Sequence, residues 1–256
     1  MIKNIYVISA KEVKSFFSSP TAFVVIALFL VLSGYLFNGL LHSFFKAMSL
    51  SNLPDYNFTV NINRMLLSPF ILNLSFAITV MLPMLTMGSF AEEKKLSTFE
   101  LLFTSPISSW EIVLGKFFGI LSFYLVVLLI TFSYSVYIGF YGEVELLPVL
   151  VGYLGLFLMG GTLIAIGVFI SSTTESQVIA AVGTFVVFFS MWLVKSVSSA
   201  FGENWEEFLL AISVVDNLSA FAKGIVETKH LVFYLSAIFF GLFLTKTTIE
   251  SKRWRD

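Results

Sequence analysis

The sequence predicts an all-α polytopic membrane protein with six transmembrane helices, and three observations support this. The 256 residues are 57% hydrophobic and only 12% charged, with 30 Phe and a mean hydropathy of +0.93; a soluble domain usually carries about 25% charge. Apolar runs long enough to cross a bilayer core recur along the chain. Six crossings also sort the basic residues by side. Ten Lys and Arg (Lys3, Lys11, Lys14, Lys94, Lys95, Lys116, Lys246, Lys252, Arg253 and Arg255) share one side, and five (Lys46, Arg64, Lys195, Lys223 and Lys229) the other. The richer side is then cytoplasmic and holds both termini.

Composition also excludes classes of function. Without Cys there is no disulfide, thiolate nucleophile or cysteine-ligated metal, and His42 and His230 stand too far apart in sequence to suggest a histidine cage. A net charge of −1 gives no reason to expect nucleic acid as a partner.

Residues 1–18 read as an interfacial helix. Ile2, Ile5, Tyr6, Ala10, Val13, Phe16 and Phe17 share one side at helical spacing, while Lys3, Asn4, Lys11 and Lys14 lie elsewhere. Lys11, Glu12 and Lys14 break up what would be the apolar region of a secretory signal. Pro20 marks the bend into the first span, 21–41, which has no formal charge; the polar, turn-rich stretch 42–65 reads as an external loop. The second span, 66–90, contains Pro69 and Pro83, which call for kinks that neighbouring helices compensate.

Residues 91–117 are the densest run of charge and capping signals, and 91–111 of them form the loop between the second and third spans. Ser97 precedes Glu100 by three residues and Ser108 precedes Glu111 by three, two capping boxes that predict helix starts. Pro106 separates them, so the pattern predicts a short helix over 98–104 and a second from near Ser109. Spans follow at 112–140, 147–170 and 177–194. The fourth is glycine-rich, with Gly161 and Ala165 spaced for close helix packing, and Ser172 with Glu175 suggests a third capping box in the turn after it. Residues 195–230 contain two apolar pieces too short to span, and predict a re-entrant helical hairpin on the external side. The last span, 231–248, ends before a basic stretch in which Trp254 reads as a membrane-surface anchor.

No enzyme emerges. The three aspartates, Asp55, Asp216 and Asp256, all lie outside the clear spans, and no nucleophile and base pair is apparent. Gly115 and Lys116 resemble the end of a P-loop, but Phe117 replaces the Ser or Thr and Trp110 stands where the first glycine belongs. The chain therefore binds no ATP or other cofactor by itself. On its residues alone, 91–111 reads equally as a docking loop or an ordinary charged loop at the interface.

The run MGSFAEEKKLSTFELLFTSPISSWEIVLGKFFG resembles the cytoplasmic loop of type-2 ABC exporter permeases. The match falls on Glu92, Glu93, Lys94, Thr98, Glu100, Leu101, Leu102, Ser105, Pro106, Gly115 and Lys116. The wider pattern of interfacial helix, six spans and Lys223-Gly224-Ile225-Val226 before the last span agrees, and the gliding-motility-associated permeases of that family are the most similar in look. The resemblance implies a single permease domain, 1–256, that pairs with a second permease and with a dimer of cytoplasmic ABC ATPases in a bacterial plasma membrane. ATP and Mg would sit on the ATPase. The 98–104 helix would be the coupling helix, with Phe99, Leu102 and Phe103 as its apolar face and Glu92, Glu93 and Lys95 as its polar rim; Thr98, Glu100, Leu101 and Pro106 complete the interface. Candidate substrate-path residues are Ser33, Asn38, Asn73, Ser75, Thr79, Ser122, Thr131 and Tyr134, although residues of this kind in a span more often make hydrogen bonds in helix packing than ligand contacts. The remaining alternative is a channel or membrane scaffold that uses no ATP and whose loop binds another protein.

Overall fold

The computed structural model describes residues 2–51, 61–98, 107–198 and 213–253, and these are helical with short connections and no strand. Among the described residues, six helices are long and apolar enough to cross a membrane. α1 (Ile2–Ser18) meets α2 (Pro20–Ser51) at Ser19, where the proline starts a new helix. The second helix does not stop near Leu41 but continues through part of the stretch expected to be a loop. Neither Gly nor Pro occurs between Gly39 and Pro54, and Phe44 still finds a buried place, so nothing local ends it.

The second predicted span is a composite. A π-helical turn, Asn63–Leu67, leads into α3 (Ser68–Thr86), where the backbone N–H of Ser68 reaches Asn63. Pro69 then sits in the first turn of α3, where its missing N–H costs little. Pro83 lies inside α3, and one turn later the helix passes through Met87 into α4 (Gly88–Lys95). Ser97, whose expected partner Glu100 lies outside the described residues, stands at the end of α4. It adopts φ 54° and closes α4: Ser97 N–H donates to Lys94 and Thr98 N–H to Glu93, the hydrogen-bond pattern of a Schellman motif with serine in the left-handed position. The predicted 98–104 helix falls mainly on Phe99–Pro106, which lie outside the described residues, as do residues 199–212 of the expected hairpin and Trp254.

The Ser108 and Glu111 box does form. Ser108 Oγ accepts from Glu111 N (3.3 Å), and Glu111 Oε2 accepts from Ser108 N (2.9 Å), which opens α5 (Ser109–Gly139). α6 (Leu146–Thr173), α7 (Gln177–Ser198), α8 (Val214–Ala222) and α9 (Thr228–Arg253) follow. The Ser172 and Glu175 box does not form. α6 carries through Ser172, whose hydroxyl donates to Phe169 O, and the turn is capped at Thr174, which accepts from Ser176 N.

α6 is the hub, packing on α3, α4, α5, α7, α8 and α9. Its glycines make this possible. Gly155 has no room for a Cβ beside Phe221 of α8 (2.5 Å), Gly160 lies under the Tyr124 ring of α5, and Gly167 lies against Thr86 of α3. The glycine-rich pattern therefore serves close packing of helices in lipid. The ends of the bundle alternate as six crossings require. Asn63 Nδ2 donates to Glu145 O at 3.1 Å and Gly224 rests on Pro148, so the starts of α3, α6 and α9 share one end. α1, α4, the start of α5 and the end of α6 meet at the other.

Candidate coupling interface

The helix break at Met87 is held by a side chain from α6. Ser171 Oγ donates to Met87 O (2.8 Å) and accepts from the backbone N–H groups of Phe90 and Ala91 (both 3.1 Å), taking the place of ladder partners. Lys94 Nζ donates to Ser172 O, one residue further along α6. Each bond is short in sequence reach on α4 and distant in the chain, so α4 is fixed as a unit to the end of α6.

The opposite side of α4 faces Lys116 of α5. Its Nζ lies 2.8 Å from Glu93 Oε1 and 2.9 Å from Glu12 Oε1 on α1, and 5.0 Å from the centre of the Phe90 ring. Lys116 is 2% exposed, and the two carboxylates lie mostly under cover. Such a buried cation needs partners, because removing it from water costs several kcal/mol. Here it receives two, from two different helices, together with the face of an aromatic ring.

α1 reaches this position because α5 presents two glycines. A Cβ on Gly115 would stand 2.6 Å from Ile8 Cβ, and one on Gly119 would stand 2.5 Å from Glu12 Cβ. Backbone-to-backbone approach at small-xxx-small spacing lets α1 lie along α5. Phe16 stacks on Phe123 (4.8 Å), Phe17 meets it edge-on (5.4 Å), and Asn4 Nδ2 donates to Glu111 Oε1 (3.2 Å).

Among the residues predicted for the interface, Glu92, Lys95 and Thr98 are exposed on and just beyond α4. Glu93 is placed differently from a polar rim, since it turns inward to Lys116. Phe99, Glu100, Leu101, Leu102, Phe103 and Pro106 lie outside the described residues. The substrate-path candidates are spread over α2, α3 and α5. Ser33, Ser75, Thr79, Ser122 and Thr131 each donate to a carbonyl three or four residues back in their own helix. Tyr134 packs between Phe37 (4.9 Å) and Phe70 (5.6 Å); Asn38 is exposed and Asn73 half-buried.

Sequence reading did not find Glu12, Lys116 as a buried cation, or Ser171. A signal existed for two of them: GKFFG, residues 115–119, is a Gly-xxx-Gly step with the lysine inside it. For Ser171 there was none, because its partners are backbone groups some 80 residues away in sequence.

This is a multi-pass helical membrane protein with a cluster of buried polar and charged groups at one end of the bundle. The family model described as ABC-2 family transporter protein matches residues 6–237, nearly the whole chain, and the chain belongs to that family. Its members are membrane permease subunits of ABC transporters, which implies an ABC ATPase as partner. A comparison with curated proteins finds no match.

Proposed function

We propose that the chain is the membrane subunit of an ATP-driven exporter in a bacterial plasma membrane, with both termini in the cytoplasm. Residues 91–111 receive motion from a dimer of separate ATPase subunits, and two permeases enclose the substrate route. α4, at the head of that segment, is bonded at once to α6 through Ser171 and Ser172, and to α5 and α1 through Lys116; this observation carries the reading. A push on the segment is thereby delivered to three helices, one of them the hub. α1 serves as the interfacial helix that steadies the node, presenting Ile2, Tyr6, Val7 and Phe17 outward. α8 is the inner arm of a re-entrant hairpin: Phe221 and Leu218 rest on Gly155, and the Tyr234 hydroxyl of α9 donates to Val214 O at 2.8 Å. The look of gliding-motility-associated permeases extends the proposal to transmission of force by the same linkage.

The test is co-purification with the ATPase and its rate of ATP turnover. Phe99→Glu combined with Leu102→Glu is expected to reduce complex formation and stimulated turnover roughly tenfold or more, as removal of apolar anchors does at an interface. Unchanged binding together with unchanged turnover would refute this reading.

A further inference from the structure

A second feature lies at the end of the bundle away from α4. A cavity of about 630 Å³ opens there between the π-helical turn, the start of α6 and the segment after α8. Its size falls within the few hundred to ~1,000 Å³ of small-molecule clefts.

Two cations line it, Arg64 on the turn and Lys223 beyond α8. Both are exposed, and neither has an ion-pair partner among the described residues, although Glu145 lines the same cavity. The backbone that carries each of them is fixed. Asn61 Oδ1 accepts from Arg64 N at 3.0 Å, and Lys223 is followed by Gly224, whose φ of 80° lets the chain settle against Pro148. Asn63 bonds Glu145 O through Nδ2, while its Oδ1 is buried without a partner among the described residues. Pro148 and Ile225 supply apolar wall.

We propose that this cavity binds a phosphate group, with Arg64 and Lys223 as its ligands. Two cations against one carboxylate leave a single positive charge, matched by the single negative charge of a phosphodiester. A guanidinium fork and an ammonium suit tetrahedral phosphate oxygens. The site stands level with the first residues of α3, α6 and α9, where the spans begin, so its occupant has access both to an anionic lipid headgroup with its tail along the apolar wall and to soluble phosphate. The chemistry is shared; the source is what the experiment separates.

The protein in maltoside micelles, which contain no phosphate, is titrated with short-chain phosphatidylglycerol or with inorganic phosphate. Binding is read as adducts in native mass spectrometry and as thermal stabilisation. Saturable binding is expected, weakened roughly tenfold by Arg64→Gln and by Lys223→Gln, and unaffected by Lys46→Gln, a cation outside the cavity. Glu145→Gln is expected to tighten it. Charge-dependent saturation by phosphatidylglycerol alone assigns a lipid, and by inorganic phosphate as well a soluble ligand. Equal affinity in wild type and both Gln variants, or no saturable binding of either probe, overturns the proposal.

Discussion

Lys116→Met is expected to destabilise the protein by about 3 kcal/mol, the scale seen when one member of a buried ion pair is removed. The substitution keeps length and apolar bulk but leaves Glu12 and Glu93, both mostly covered, converging on an apolar side chain. Two facing carboxylates without their cation then repel each other where little water screens them. The loss should be largely recovered in the triple variant Lys116→Met, Glu12→Gln, Glu93→Gln, which removes the repulsion and leaves groups able to hydrogen-bond. Unfolding of the single and triple variants in mixed detergent measures both numbers. A single variant as stable as wild type would show that the three groups are not coupled. A triple variant no better than the single would assign the loss to packing rather than charge.

Gly119→Leu is expected to lift α1 from α5 while the six long helices remain folded. The added side chain would begin 2.5 Å from Glu12 Cβ, with Ser9 O only 3.3 Å away. Overpacking of this kind costs about 1–3 kcal/mol when the neighbours cannot retreat. α1 can retreat, since its main contact is with α5 and one of its faces is already exposed. The chain has no native Cys, so Ile8→Cys gives a background-free reporter of the gap between α1 and α5. Its reaction with a water-soluble maleimide should accelerate roughly tenfold or more in the Gly119→Leu background, in line with that cost. Gly39→Leu is the control, because a Cβ at Gly39 meets nothing within 4 Å. It should leave the labelling rate unchanged.

How much was legible follows from where each signal is written. The spans rest on long apolar runs, and the Ser108 and Glu111 box on a pair three residues apart, so both are local and both could be read. Local signals also misled. Ser97 suits either the first cap of a helix or the left-handed position after one, and only the bonds from Ser97 and Thr98 back into α4 decide between them. α2 outran its apolar segment because helix propagation stops at a breaker or a cap, not where hydropathy falls. The ion cluster around Lys116 was hidden for a different reason. Lys116 counts in a sequence as one more cytoplasmic charge; its burial is created by α1 and α4, which approach it from 104 and 23 residues away. Two glycines at 115 and 119 encode that approach, but a small-xxx-small step does not say which helix will use it.

The central claim is that motion entering at 91–111 is carried by α4 through the Lys116 node. A double-label distance measurement tests it directly. Spin labels on Lys95→Cys and Ser251→Cys, both exposed positions, report α4 against the far end of α9 in the permease assembled with its ATPase. The account predicts one distance distribution without nucleotide, a shifted one when ATP is trapped on the ATPase, and a smaller shift in the Lys116→Met, Glu12→Gln, Glu93→Gln variant, where only the Ser171 and Ser172 link to α6 remains, although the complex still forms. An identical distribution with and without ATP in the wild type, or an unaltered shift in the triple variant, would contradict it.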